Sequence, residues 1–296
     1  MLFLLIGALC ISIAPIIVKY VELGPSFIGL FRSFFGAIFL SGYLYRDRKI
    51  LLRELKKPEI SKWLIIAGAI FYLDLFVWHK SIHLIGAGKA TVLANTQVFY
   101  LMLLGVFFNH EKIDTHRILG ALVAIVGIFF LIWNKDSLAV GTNYLEGTFL
   151  GLFTGLCYAT YIFSLSKLAQ KNLKGRGLSP PAKLAIISYI TSIFFLPSSL
   201  VEGSFHLPTM KNFLLLLTLA LVTHALGWLA IKKGLEFVSA STGGLILLLQ
   251  PVLATVFGII LFGEYLTPMQ VGGLTLAVLG IGLGSIISRR EYHQLP

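Results

Sequence analysis

Charge is what this chain most lacks. Asp, Glu, Lys and Arg make up only 12% of its 296 residues, about half the roughly 25% of a soluble domain. With 57% hydrophobic residues and a mean hydropathy of +0.87, so little charge excludes a water-soluble monomer and leaves lipid as the main solvent. Cysteine is nearly absent as well. Cys10 and Cys157 are the only two and both lie in apolar runs, so no disulfide framework is expected.

Catalytic and energising motifs are missing too. There is no HExxH and no Cys/His cluster at metal spacing. Gly86-Ala87-Gly88-Lys89 falls short of a phosphate loop, because His83 stands where the first glycine belongs and Ala90 where Ser or Thr is needed. An enzyme, a metal or cofactor site, and an ATP-driven pump built from this chain alone are therefore not expected. The net charge of +11 sits in short loops between apolar runs, which argues for a positive-inside membrane protein and against a nucleic-acid partner.

What is present is a series of apolar runs, each close to the about 20 residues that a helix needs to cross the hydrocarbon. They fall near 2–19, 26–45, 62–80, 87–108, 115–133, 146–165, 182–201, 212–231, 239–262 and 267–287. No basic segment precedes the first run, and Leu9 stands before Cys10 where a lipoprotein cleavage site wants a small residue. Residues 2–19 therefore read as a retained helix and not a signal peptide. The expected fold class is an all-α membrane protein of ten transmembrane helices. With the N-terminus inside, the inner loops hold eighteen Lys and Arg against five outside, which predicts both termini in the cytoplasm.

The chain also repeats itself. A shift of 153 positions lays residues 63–133 on 216–286 without a gap, matching Lys80 with Lys233, Gln97 with Gln250, Gly105 with Gly258 and Glu111 with Glu264. Chance apolar matches are cheap in such a sequence, but matched Lys, Gln and Glu are not. Two halves follow, 1–134 and 146–288, integrated in one transmembrane domain. Five helices in each half would invert the second relative to the first, a recurrent plan of secondary transporters.

Particular motifs point the same way. Gly263-Glu264 closes a span containing Gln250-Pro251, a glycine-rich last helix runs from Gly272-Gly273 to Gly284, and Arg32 sits within Phe31-Arg32-Ser33-Phe34-Phe35-Gly36-Ala37. This pattern resembles the EamA family of the drug/metabolite transporter superfamily over nearly the whole chain. The resemblance implies ten helices, inward termini and a central cavity between the halves. It also implies transport of small metabolites, often amino acids, mostly outward. Two positions depart from the family pattern: Val98 replaces the proline of the fourth helix, and Cys10-Ile11-Ser12 replaces a Trp-Gly-Ser in the first.

Ionisable and aromatic groups in mid-membrane are the candidate site, because each is costly unless it has a task. Asp74 and Trp78 share one face of the third helix, with His79 at its border. His224 and Trp228 make a similar step in the eighth, and Tyr158 and Tyr161 lie on one face of the sixth. With Asn95 they form the expected substrate-binding set, and interhelical packing is the competing reading for each. Arg32, Gln97, Gln250, Pro15, Pro251, Glu111 and Glu264 are expected to be structural or gating. Arg32 should pair with a carboxylate or helix-end carbonyls, the two glutamates should cap helix N-termini, and the prolines should bend their helices. Gly147, Gly151 and Gly155 form a stripe for close helix packing.

The function expected is a secondary transporter that exports or exchanges a small polar metabolite by alternating access. Uptake or exchange of S-adenosylmethionine or a nucleotide-type solute is the alternative, and a non-transporting membrane protein is a third. The expected partners are that solute and the lipid bilayer, with the chain a monomer or homodimer in a bacterial cytoplasmic membrane.

Overall fold

The computed structural model describes residues 1–109, 115–133, 142–170, 177–203, 208–262 and 266–292. Ten apolar helices follow one another among them: α1 (Leu2–Tyr20), α2 (Pro25–Arg46), α3 (Pro58–Ile85), α4 (Ala90–Phe108), α5 (Thr115–Leu131), α6 (Tyr144–Ala169), α7 (Pro180–Val201), α8 (Met210–Gly234), α9 (Ala240–Phe257) and α10 (Pro268–Gly284). Eight of them are long and apolar enough to cross a membrane. The described apolar parts of α5 and α10 are shorter, 10–17 residues. The helix that meets the expected span near 267–287 continues to Tyr292, and the one near 115–133 runs Thr115–Ile132. Four starts are set by proline at the first helical position, Pro25, Pro58, Pro180 and Pro268, where its missing N–H costs nothing.

Three helices break in the same zone. α1 is interrupted between Ile11 and Ala14, since Pro15 has no N–H to offer the Ile11 carbonyl. α9 is interrupted at Leu248, where Pro251 withholds the same bond from Leu247. α4 breaks at Asn95 and Thr96 without a proline. There the Asn95 side-chain amide donates to the Thr91 carbonyl at 2.7 Å, which also accepts the Asn95 backbone N–H. The next backbone bonds, from Thr96 to Leu93 and from Val98 to Asn95, tighten to three-residue spacing. Asn95 and Leu248 are related by the 153-residue shift. α8 differs again: residues Leu219–Gly227 form a wide π-helical stretch, a feature frequent at functional positions.

The helices pair reciprocally. α2 and α7 run antiparallel, joined by Ser192 Oγ donating to Ser33 Oγ at 3.1 Å and by Ser41 and Tyr189 hydroxyls 2.7 Å apart. α3 packs on α6 and α8 packs on α1. α5 and α10 meet through glycine: a Cβ at Gly273 would stand 2.7 Å from the Gly127 carbonyl oxygen, and one at Gly280 would stand 2.7 Å from that of Gly120. By the shift of 153, Gly120 corresponds to Gly273 and Gly127 to Gly280, so each contact is the counterpart of the other. On α6, Ser81 Oγ of α3 donates to the Gly147 carbonyl at 2.8 Å, an approach that the small residue permits.

Both ends of the α2–α7 pair are closed by a carboxylate. Asp47, just after α2, accepts the Ser179 backbone N–H at the start of α7 at 2.7 Å. Glu202, just after α7, accepts the Ser26 N–H in the first turn of α2 at 2.9 Å. Each acid satisfies an orphan donor and the positive end of the partner's dipole. Glu111 and Glu264, for which this role was expected, lie outside the described residues. Partial burial pushes the Asp47 carboxyl up, but the Ser179 side-chain and backbone hydrogen bonds and the Arg46 guanidinium outweigh it and hold the group below its ordinary value. A depressed value means stability present above the unfolded pKa, roughly 3.9, and lost as the pH falls through the folded one. Asp47→Ala should therefore cost about 1 kcal/mol at neutral pH. The deficit should close on acidification below about pH 4, as read by thermal unfolding in detergent.

Candidate functional site, a polar cavity at the helix breaks

A cavity of about 450 Å³, counted to its open mouth, lies where the broken helices meet. Its walls come from Ile11 and Ala14 of α1, Arg32 of α2, Asp74, Leu75 and Trp78 of α3, and Thr91, Ala94 and Asn95 of α4. Thr154 and Tyr158 of α6, Trp228 of α8 and Gln250 of α9 complete them. Seven helices thus contribute, drawn from both sequence-related parts of the chain. Leu75 and Trp228 correspond under the 153-residue shift, so one repeat position faces the cavity twice.

Two ionisable groups of opposite type, Arg32 and Asp74, look into this space. Arg32 is 2% exposed and Asp74 6%. Arg32 Nη2 donates only a long hydrogen bond, 3.4 Å, to Thr223 Oγ1, while its Nε and Nη1 and the Asp74 Oδ1 have no hydrogen-bond partner. Each lies within the other's electrostatic field, yet no hydrogen bond joins them. The carboxylate expected to pair with Arg32 thus lines the same cavity without an ion pair to it among the described residues. Asn95 is a third lining residue with a buried polar atom, Oδ1, that has no partner. Gln250 is held at the wall by donating to the Tyr158 hydroxyl at 2.6 Å.

Of the expected binding set, Asp74, Trp78, Asn95, Tyr158 and Trp228 come together at the cavity. Three others are placed behind it. His79 Nδ1 donates to the Pro25 carbonyl at 3.0 Å, tying α3 to the start of α2. His224 shares a 2.8 Å hydrogen bond with Ser188 Oγ of α7 and lies 5.3 Å from the Phe71 ring. Tyr161 stacks on Phe71 with centroids 4.0 Å apart and meets the edge of Trp228 at 4.6 Å. Those contacts hold the Trp228 indole in the wall. Gln97 departs from its repeat mate: its amide donates to the Gly244 carbonyl of α9 at 3.0 Å, away from the cavity. Pro15 and Pro251 sit at the breaks of α1 and α9, next to lining residues.

Sequence reasoning missed Thr91, Thr154, Leu75, Ile11, Ala14 and Ala94, and assigned Arg32 and Gln250 to other roles. A usable signal existed for the threonines. Thr154 lies four residues before Tyr158, and Thr91 four before Asn95, the spacing that stacks side chains on one helix face.

A helical membrane protein with a polar cavity at discontinuous helices has the architecture of a solute carrier. The sequence pattern of the EamA-like transporter family matches residues 1–133 and 145–286, and the chain belongs to that family. It is an integral membrane transporter. Threonine/homoserine exporter RhtA of Escherichia coli K12 is 26% identical over 267 residues, covering 89% of this chain and 82% of the exporter. A probable amino-acid metabolite efflux pump of Salmonella typhimurium LT2 is 29% identical over 204 residues, 66% of each chain. A crystal structure 16% identical in sequence superposes with a TM-score of 0.79, covering 98% of this chain and 97% of its own. That likeness concerns the fold alone.

Proposed function

We propose that the chain is a secondary transporter that moves a small polar metabolite, an amino acid or related compound, by alternating access, as efflux or exchange. The observation that carries this reading is the cavity itself: buried polar groups of both ionisable types, with unpartnered atoms, surround an open space where α1, α4 and α9 break. In lipid such groups are retained where they meet a solute or a water-filled path. The relatives named as amino-acid exporters favour the same substrate class.

On this reading α5 and α10 complete ten spans, and the two halves are inverted repeats about the reciprocal α2–α7 and α5–α10 contacts. Exchange of the halves' conformations opens the cavity first to one side and then to the other. Pro15 and Pro251 serve as hinges. The membrane is the bacterial cytoplasmic membrane, with both termini inside, so Asp47 closes the inner end of the α2–α7 pair and Glu202 the outer. The protein reconstituted in liposomes should carry a labelled solute saturably when amino acids, nucleosides and S-adenosylmethionine are offered in turn. A protein that moves none of them contradicts the reading, and one that moves only a nucleoside or S-adenosylmethionine replaces the substrate class.

A further inference from the structure

Arg32 and Asp74 impose a condition on what fills the cavity. Both are almost wholly buried, both line the same space, and each keeps polar atoms without a partner. A buried ionisable group whose counterpart does not touch it keeps unmet hydrogen-bonding capacity, and low dielectric makes that cost larger. A solute with one charge relieves half of it and leaves the other charge unmet. A solute carrying both, a short distance apart, relieves the whole.

We propose that the cavity recognises a zwitterion with its two charges divided between two residues: Arg32 receives the α-carboxylate of a free amino acid and Asp74 its α-ammonium. This deepens the transport reading above and rests on it. The guanidinium suits a carboxylate because its fork of N–H donors matches the two oxygens, and its free Nε and Nη1 are the donors available. The Asp74 carboxylate accepts from an ammonium through the unpartnered Oδ1. Asn95 Oδ1 accepts a further N–H, so the ammonium is held by more than charge. Trp78, Trp228, Leu75, Ile11, Ala14 and Ala94 leave an apolar remainder for the side chain. Blocking either charged end of the solute should therefore strand a buried charge, whereas changing the side chain should not.

The test is competition against labelled L-threonine uptake by the wild-type protein in liposomes. N-acetyl-threonine, threonine methyl ester and a second free amino acid are the competitors. The free amino acid should compete, and each blocked derivative should do so about 30-fold less well or worse, the usual penalty for truncating one side of a buried charge pair. The variants should then lose discrimination separately. Asp74→Asn should bind threonine weakly and no better than N-acetyl-threonine, while still rejecting the ester. Arg32→Gln should show the converse. Unfolding profiles of both variants identify any that fail to fold, and the wild-type arm stands without them. Blocked derivatives competing as well as threonine would overturn the proposal, as would either variant losing the discrimination assigned to the other. If no free amino acid is carried but another metabolite is, the zwitterion site is wrong while transport stands. If another free amino acid is carried in place of threonine, the same competition is run with that amino acid and its blocked derivatives. If no solute moves at all, the transport reading itself has failed.

Discussion

Gly273→Val should abolish recovery of folded protein, and Gly272→Val, one residue away, should leave it unchanged. A Cβ at Gly273 would lie 2.5 Å from the Leu131 nitrogen and 2.7 Å from the Gly127 oxygen, whereas one at Gly272 meets nothing within 4 Å. The obstacles at Gly273 are backbone atoms of α5, which cannot rotate aside as a side chain can. Overpacking that side chains absorb costs about 1–3 kcal/mol; here the helices must separate along their length. In lipid, close packing is most of what holds such a pair together, because burying apolar surface against a neighbour gains little over burying it in acyl chains. Gly127, Gly120 and Gly280 share the same interface, so valine at any of them should behave like valine at Gly273. The readout is monodisperse protein after detergent extraction.

Trp228→Ala should remove most transport even where the protein still folds. The indole is 3% exposed and is gripped from three sides. Tyr161 lies 4.6 Å away edge-on, Phe71 5.2 Å and Tyr158 5.8 Å between ring centroids. Losing so large a side chain costs about 3–5 kcal/mol in a packed interior, and here it also deletes a wall of the cavity. Trp228→Phe keeps an aromatic wall and should retain much of the flux. Tyr161→Phe is the informative neighbour: it preserves the stack on Phe71 and deletes a hydroxyl that has no hydrogen-bond partner. That change should be neutral or slightly stabilising, which separates a residue supporting the wall from one touching the solute. Initial uptake rates, paired with thermal unfolding, read both effects.

The helices were legible because lipid makes apolarity obligatory: a spanning segment has no other way to be written. The residues facing the cavity were legible where a polar group had no reason to be buried, as with Asp74 and Asn95. Helical spacing resolves direction only coarsely. Tyr158 and Tyr161 are about 60° apart around α6, enough to put one hydroxyl on Gln250 and turn the other toward Phe71. His224 looked like a cavity group by analogy with Asp74. Its repeat counterpart is Phe71, and it faces α2 and α7, where Gly36 leaves room for the imidazole and Ser188 shares a hydrogen bond with it. Arg32 shows the opposite limit. Its cost was evident from the sequence, but the lack of a touching carboxylate depends on the spacing of α2 and α3. The Asp47 and Glu202 caps join residues 132 and 176 positions apart, and no local pattern announces them.

The most direct measurement is counterflow. Liposomes carrying the purified protein are loaded with unlabelled L-threonine and diluted into a trace of labelled L-threonine. A carrier that alternates its cavity between the two faces should concentrate label transiently inside, above the level reached by liposomes loaded with buffer alone. Uptake no greater than in protein-free liposomes, with threonine and with every other solute offered, would contradict the account.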